Sequence, residues 1–355
     1  MHILIAPDHF RPSVQASSAA EAIARGLRTT VAGAVIRLCP QTAGGRGTMD
    51  MVVRAQHGRI RHEIVKSREG RTVASRWAML PDQTIVLDAA EILLHSHNPH
   101  MADSFCLGAM VHQMFRYRPK AIVVALGDMA GTDGGLGMLE ALGVRYLDEN
   151  GTELPFNPRT LGRVAGAACD GLDIPVPIVG LYDQPLSRAG PHGSQKPSRN
   201  ELERVVAMVE QCVATELSRL PGTAAGGGLG WGLAVLGAQL TSGALFVAHN
   251  TGLAAGLAWA DWVVTGSDRL SHLSADEVVG QVGRMGRDAD KPVIALAATL
   301  AEGHARLYQE GVAGFYPILD RPRSAKDTFR ATASLLEQTG ERLGRWMTIF
   351  QQTRT

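Results

Sequence analysis

Neither sign of charge is in excess in this 355-residue chain, where 35 Lys and Arg face 34 Asp and Glu for a formal net charge of +1. So close a balance leaves no long-range field to gather nucleic acid or an anionic membrane surface, and neither is an expected partner. Cysteine is scarce. Cys39, Cys106, Cys169 and Cys212 are scattered without CxxC or Cys/His spacing, which excludes a zinc-finger pattern or disulfide framework and fits a reduced, cytoplasmic setting. From Leu220 to Ala260 there is no Asp, Glu, Lys or Arg, yet Gly226, Gly227, Gly228, Gly230, Gln239, Thr241, Ser242, His249 and Asn250 interrupt the run. A membrane span needs about 20 consecutive apolar residues, so this stretch reads as two packed elements of a soluble core. The start lacks the basic segment and apolar run of a signal peptide, and export is not expected. His95, His97 and His100, with Asp103 close by, lack an accompanying Cys or zincin motif and read as solvated loop residues.

Glycine is what the chain has in quantity, 40 residues of it. Single cores stop growing at about 250–300 residues, so the length predicts two domains. Short runs, apolar on both faces, at Ile3 to Ala6, Val35 to Leu38, Trp262 to Thr265, Pro292 to Ala295 and Gly314 to Ile318 alternate with helical spacing. The first helix runs from Ser17 to Leu27, with Ser17, Ser18 and Glu21 at its start; the last runs from Ser324 to Phe350. Such alternation predicts a doubly wound parallel sheet of order 2-1-3-4-5. Between Arg59 and Asp88 the period changes to 2 around turns at Arg68 to Gly70 and Pro81 to Gln83, the mark of antiparallel or mixed pairing. The expected architecture is therefore α/β: a discontinuous domain of residues 1–43 plus 245–355, with a mixed α/β domain, 44–244, inserted into it. Ala189 to Asn200, rich in Gly, Pro and Ser, is the expected mobile loop.

Five segments combine glycine with polar residues at strand ends or helix starts. Asp8 follows the first strand within Ala6, Pro7, Asp8, His9, Phe10 and Arg11. Gly44, Gly45, Arg46, Gly47 and Thr48 form a glycine turn around a cation, the makings of an anion cradle. Gly127 to Gly135 breaks an apolar strand and carries Asp128 and Asp133. Gly226, Gly227, Gly228 and Gly230 precede helical spacing at Leu233, Leu236 and Leu240, where N–H groups at a helix start would face an anion. Gly266, Ser267, Asp268 and Arg269 follow the strand that starts at Trp262.

In this order, the five segments resemble the glycerate kinase family of the bacterial glycerate 2-kinase type. They match its Ala-Pro-Asp-Ser-Phe-Lys start, its Asp-Gly-Gly-Glu-Gly-Thr turn, its Gly-Gly-Ser-Ala-Thr-Asn-Asp-Gly-Gly loop, its Gly-Gly-Leu-Gly segment and its Gly-Glu-Gly-Arg-x-Asp segment. The likeness extends over nearly the whole chain, including Asn98-Pro99 and Gln195-Lys196. It implies a flavodoxin-like half and phosphorylation of glycerate or a related small hydroxy acid, with ATP and Mg²⁺ as cofactors. It further implies Asp8, Asp133 and Asp128 as catalytic residues, with Asp128 and Asp133 as possible magnesium ligands. Arg11, Gly44, Gly45, Arg46, Gly47, Thr48, Lys196 and Arg269 are implied for the anionic substrate, and Gly134, Gly135, Gly227, Gly228, Gly230 and Gly266 for the nucleotide. The expected partners are a small anionic metabolite and, at most, a second copy in a homodimer.

The chain departs from the family at several polar positions: His9 for Ser, Arg11 for Lys, Ala43 for Asp, Arg46 for Glu, Asp128-Met129 for Gly-Ser, Gly131-Thr132 for Thr-Asn, Leu181 for Asp, Ser267 for Glu and Ser271 for Asp. Loss of acids with retention of arginines leaves a more positive site. That points to an alternative, a catalytically impaired or repurposed member that binds an anionic metabolite or a protein partner.

Overall fold

The computed structural model of the chain describes residues 1–10, 14–93, 103–127, 133–157, 159–187 and 197–352. The chain divides into two compact units, Met1–Ala43 with Ala244–Thr355, and Gly44–Gly243.

The first unit is built on five parallel strands in the order Val312–Pro317, Val293–Leu300, Trp262–Leu270, His2–Ile5 and Val35–Leu38. This is the 2-1-3-4-5 order expected from the apolar runs. Successive side chains of a strand point to opposite faces, and here both faces are covered. Ile3 and Ile5 pack with Ile23, Leu27, Leu335 and Leu343 of the helices Ala16–Thr30 and Ala325–Gln352. Leu4 and Val263 pack with Leu253, Leu257, Val278 and Val282 on the other side. The first helix starts one residue before the expected serines. Gln15 is its N-cap without a side-chain bond, so Ser17 and Ser18 lie in the first turn rather than capping it.

The second unit holds a six-stranded mixed sheet in the order Gln239–Ser242, Ile178–Tyr182, Ala121–Ala125, Thr84–Asp88, Thr72–Met79 and Arg59–Lys66. Its first four strands are parallel, and the last two are antiparallel, as the period-2 pattern predicts. A small antiparallel sheet, Glu153–Leu154, Arg145–Leu147 and Gly166–Ala168, stands beside it. Trp77, Ile85, Leu87, Ile122, Val124, Leu107, Met110 and Leu139 share its core.

The uncharged run from Leu220 to Ala260 holds more than the two elements expected. A helix Leu229–Val235, the strand Gln239–Ser242 and helices Gly243–Asn250 and Leu253–Trp259 succeed one another. Left-handed Gly237 and Gly252, at φ +77° and +76°, break the helical spacing, so Leu240 lies in a strand rather than on the helix of Leu233. No helix among the described residues is long and apolar enough to cross a membrane. Of the loop expected at 189–200, residues 197–200 open the helix Pro197–Cys212; the rest lies outside the described residues.

Candidate functional site

Within the second unit the glycine turns come together at the carboxyl ends of the parallel strands, where open α/β sheets bind ligands. Gly127, two residues beyond the strand Ala121–Ala125, donates its N–H to the Gly44 carbonyl at 2.9 Å. A Cβ added at Gly127 would sit 2.8 Å from the Gly45 Cα and 2.9 Å from its nitrogen. Only glycine permits backbones this close. One added at Gly135 would meet the Gly232 Cα at 3.1 Å. The turns at 44–48, 127, 133–135 and 226–230 thus form one body of packed backbone.

Carboxylates fill the N–H donors of two of these turns, one from elsewhere in the unit and one from the turn itself. At the first, Gly47 is the left-handed N-cap of the helix Thr48–Gln56. Its N–H and that of Met49 donate to Asp88, at 2.9 and 3.1 Å, while the Thr48 hydroxyl donates to the Gly45 carbonyl at 2.6 Å. Asp88 ends the strand Thr84–Asp88 and is only 2% exposed. Burial pushes its carboxyl up to about 7 against the pull of those two N–H groups, and Asp50 and Glu91 add to the push. The anion cradle expected at Gly44 to Thr48 therefore holds an internal anion. Arg46, at its tip, is exposed.

At the second turn Gly135 caps the helix Leu136–Ala141. Asp133, buried, accepts the N–H groups of Ser104, Gly135 and Gly137, each at 3.0 Å, and the Ser104 hydroxyl bonds it as well. Burial pushes this carboxyl up to about 6 against those hydrogen bonds, and the neighbouring charge of Asp103 pushes the same way. Asp133 thus acts as a cap that shapes the Gly134–Gly135 turn. At the third turn Gly226, Gly227 and Gly228 all take positive φ; the N–H of Gly228 donates to Ala224 and that of Trp231 to Thr223.

In the first unit Asp8 follows the strand His2–Ile5 and is 7% exposed. Its N–H donates to the Gly266 carbonyl at 2.8 Å. One carboxylate oxygen accepts the His9 N–H at 2.7 Å and lies 3.1 Å from the His9 ring Nδ1. Gly266 to Arg269 do not follow the neighbouring strand as expected; they lie inside it. The strand Trp262–Leu270 keeps pairing to its end, Gly266 opposite Leu296 and Arg269 opposite Thr299. Gly266 is required there because a side chain would run into the Leu296 carbonyl. The Arg269 side chain is exposed, and the Ser267 hydroxyl donates to the Arg269 carbonyl at 3.0 Å.

Asp128, Arg11, Lys196 and the three histidines at 95, 97 and 100 lie outside the described residues. Among the described residues no group of three or more His, Cys, Asp or Glu side chains is placed to hold a metal ion. Asp88 and Asp133 spend both oxygens on backbone N–H groups. Neither therefore turns a spare oxygen toward a magnesium ion. Asp88 is the residue the sequence reading missed. Its signal is an acid closing a fully buried strand, the pattern that drew attention to Asp8.

Two acids that the family carries are replaced here by apolar residues in the core: Ala43 is 3% and Leu181 0% exposed. Comparison with known proteins accounts for the shared frame. The profile of the Glycerate kinase family matches residues 3–348. A glycerate kinase of Bacillus subtilis (strain 168) is 30% identical, with 96% of each chain covered. A glycerate 2-kinase of Escherichia coli (strain K12) is 28% identical over 93% of each. A crystal structure of a protein assigned as glycerate kinase 2 in Salmonella typhimurium LT2 superposes with a TM-score of 0.77 at 26% identity, covering 99% of both chains. With the family profile matched almost from end to end, this chain belongs to the glycerate kinase family and is a kinase by descent and fold.

Proposed function

We propose that the chain catalyses ATP-dependent phosphorylation of glycerate or a related small hydroxy acid in the cytoplasm. The observation that carries this reading is the family match from residue 3 to residue 348. Asp8 is the proposed base: it stands just beyond a strand end, nearly buried, and His9 orients it through the N–H and ring contacts at 2.7 and 3.1 Å. A carboxylate within hydrogen-bond reach of the substrate hydroxyl takes its proton as the bond to phosphorus forms. Arg11, Arg46 and Arg269 are the proposed cations for the substrate carboxylate, since a planar guanidinium matches a carboxylate in two parallel bonds. Asp133 is proposed to act indirectly, by fixing the Gly134–Gly135 turn.

The second reading, a family member that binds its anion without turning it over, is favoured by the apolar burial of Ala43 and Leu181 and by the engagement of Asp88 and Asp133 in capping. One experiment separates the two. ADP release is followed with purified protein, ATP, Mg²⁺ and D-glycerate, with phosphoglycerate identified by ³¹P NMR. The expected result is product, formed below the range of about 1–100 s⁻¹ usual for kinases and lost in Asp8→Asn. Binding of glycerate without product would support the second reading.

A further inference from the structure

The four cysteines are free thiols, scattered in the sequence, yet two of them meet in the fold. Cys169 directly follows the strand Gly166–Ala168 of the small antiparallel sheet. Cys212 is the last residue of the helix Pro197–Cys212. That helix packs on that strand: its Val205, Val206 and Val209 enter the core against which Ala167 and Cys169 also lie. The side chains of Cys169 and Cys212 are in hydrogen-bonding contact, thiol to thiol.

Both partners stand on braced backbone. The Cys169 carbonyl accepts the Leu172 N–H at 3.1 Å, and the next residue, Asp170, is gripped by Arg145 through bonds of 2.8 and 3.0 Å. On the helix, Arg204 donates to the carbonyls of Leu161 and Gly162 at 3.3 and 3.2 Å. The two thiols differ in access: Cys212 is exposed and Cys169 half-buried. Burial, with the Cys212 thiol beside it, pushes the Cys169 thiol up to about 12, so an oxidant from solvent meets Cys212 first. The other two cysteines are shielded. Cys39 is 7% exposed with its sulfur 3.5 Å from the Thr251 carbonyl, and burial pushes the Cys106 thiol up to about 11.

We propose that Cys169 and Cys212 form a redox modification site, closed to a disulfide by hydrogen peroxide and reopened by a dithiol. The Cys212 thiolate attacks one peroxide oxygen; the O–O bond breaks, and the hydroxide released takes up a proton to leave as water. Cys212 is then a sulfenic acid. The Cys169 sulfur attacks the Cys212 sulfur, the S–O bond breaks, and the departing hydroxide leaves as water with the Cys169 proton. Two thiols are oxidised and one peroxide is reduced to two waters. A dithiol reverses the link by thiol–disulfide exchange. The closed bond ties the end of the helix Pro197–Cys212 to the small sheet across a long stretch of chain, which favours the folded form. No step of phosphoryl transfer enters this chemistry.

The test uses the full chain without substrate. Reduced protein is treated with a small excess of hydrogen peroxide, remaining thiols are alkylated in denaturant, and intact and peptide masses are read. Wild type should lose two of its four alkylatable thiols and about 2 Da, in a peptide pair joining Cys169 to Cys212, with both changes undone by dithiothreitol. Its Tm should be higher in the oxidised form than in the reduced one. Cys169→Ser should leave Cys212 as a sulfenic acid that dimedone traps, and Cys212→Ser should keep Cys169 as a thiol. Should either variant not fold, wild type decides alone: the link must form faster in the folded chain than in urea. Four intact thiols, a link to Cys39 or Cys106, a dimer joined through Cys212, or equal rates in folded and unfolded chain would each overturn the proposal.

Discussion

Replacing Asp88 by Asn isolates what an internal anion does at the Gly44–Thr48 turn. The carboxyl is 2% exposed and accepts two backbone N–H groups. Its affinity for a proton is raised from 3.8 to about 7, chiefly by burial. The sign follows from linkage: the fold favours the protonated form, so that contribution is complete below the unfolded value and is lost as pH rises through the folded one. Asn resembles the protonated acid, with one carbonyl to accept one N–H and an amide group facing the other, and it does not titrate. Near pH 5 the variant should fall short of wild type by no more than the value of one hydrogen bond, about 1 kcal/mol. Between about pH 5 and pH 7 wild type loses stability at about 1.4 kcal/mol per pH unit, so by about pH 8 the variant should have gained roughly 3 kcal/mol on it. Urea denaturation at pH 5, 6, 7 and 8, followed by circular dichroism with the slope checked for constancy, measures the difference. A gap between the two proteins that does not change with pH would show that Asp88 titrates as an ordinary carboxyl, and the reasoning about its burial would be wrong.

Two further substitutions bear on the same unit. Gly127→Ala puts a methyl group 2.8 Å from the Gly45 Cα, where no flexible side chain can yield, and should cost about 1–3 kcal/mol, seen as a lowered Tm; an unchanged Tm would mean that the two turns are not packed backbone to backbone. Arg46→Ala removes an exposed cation and should weaken binding of glycerate or phosphate, measured by calorimetry, with the wild-type affinity itself falling as salt is added; binding that ignores both the substitution and salt would remove Arg46 from the anion site.

The parallel sheet of the first unit was legible because a strand covered on both faces must be apolar throughout. Ile3 to Ala6, Trp262 to Thr265 and Pro292 to Ala295 read as such without further help. The hairpins between Arg59 and Asp88 declared themselves by period and turn chemistry. Where the reading stopped short, the cause was long-range pairing. Gly266, Ser267, Asp268 and Arg269 have turn composition, yet the register with Val293–Leu300 carries them as strand to Leu270, and local propensity yields to that ladder. The glycine turn ending at Gly135 was recognisable as a helix start with Asp133 in it, and that at 44–48 as an anion cradle. That an acid already occupies the N–H groups of the 44–48 turn was not, because Asp88 lies 41 residues beyond Gly47. The contact of Cys169 with Cys212 joins two distant stretches of chain and leaves no local spacing to find.

The central claim is that this divergent member of its family still transfers a phosphoryl group to a hydroxy acid, and the ADP-release assay with ATP, Mg²⁺ and D-glycerate tests it most directly. The account predicts phosphoglycerate in the ³¹P spectrum, at a rate below about 1–100 s⁻¹, and none from Asp8→Asn. Glycerate bound at saturation with no ADP and no phosphoglycerate from the wild-type protein would contradict it.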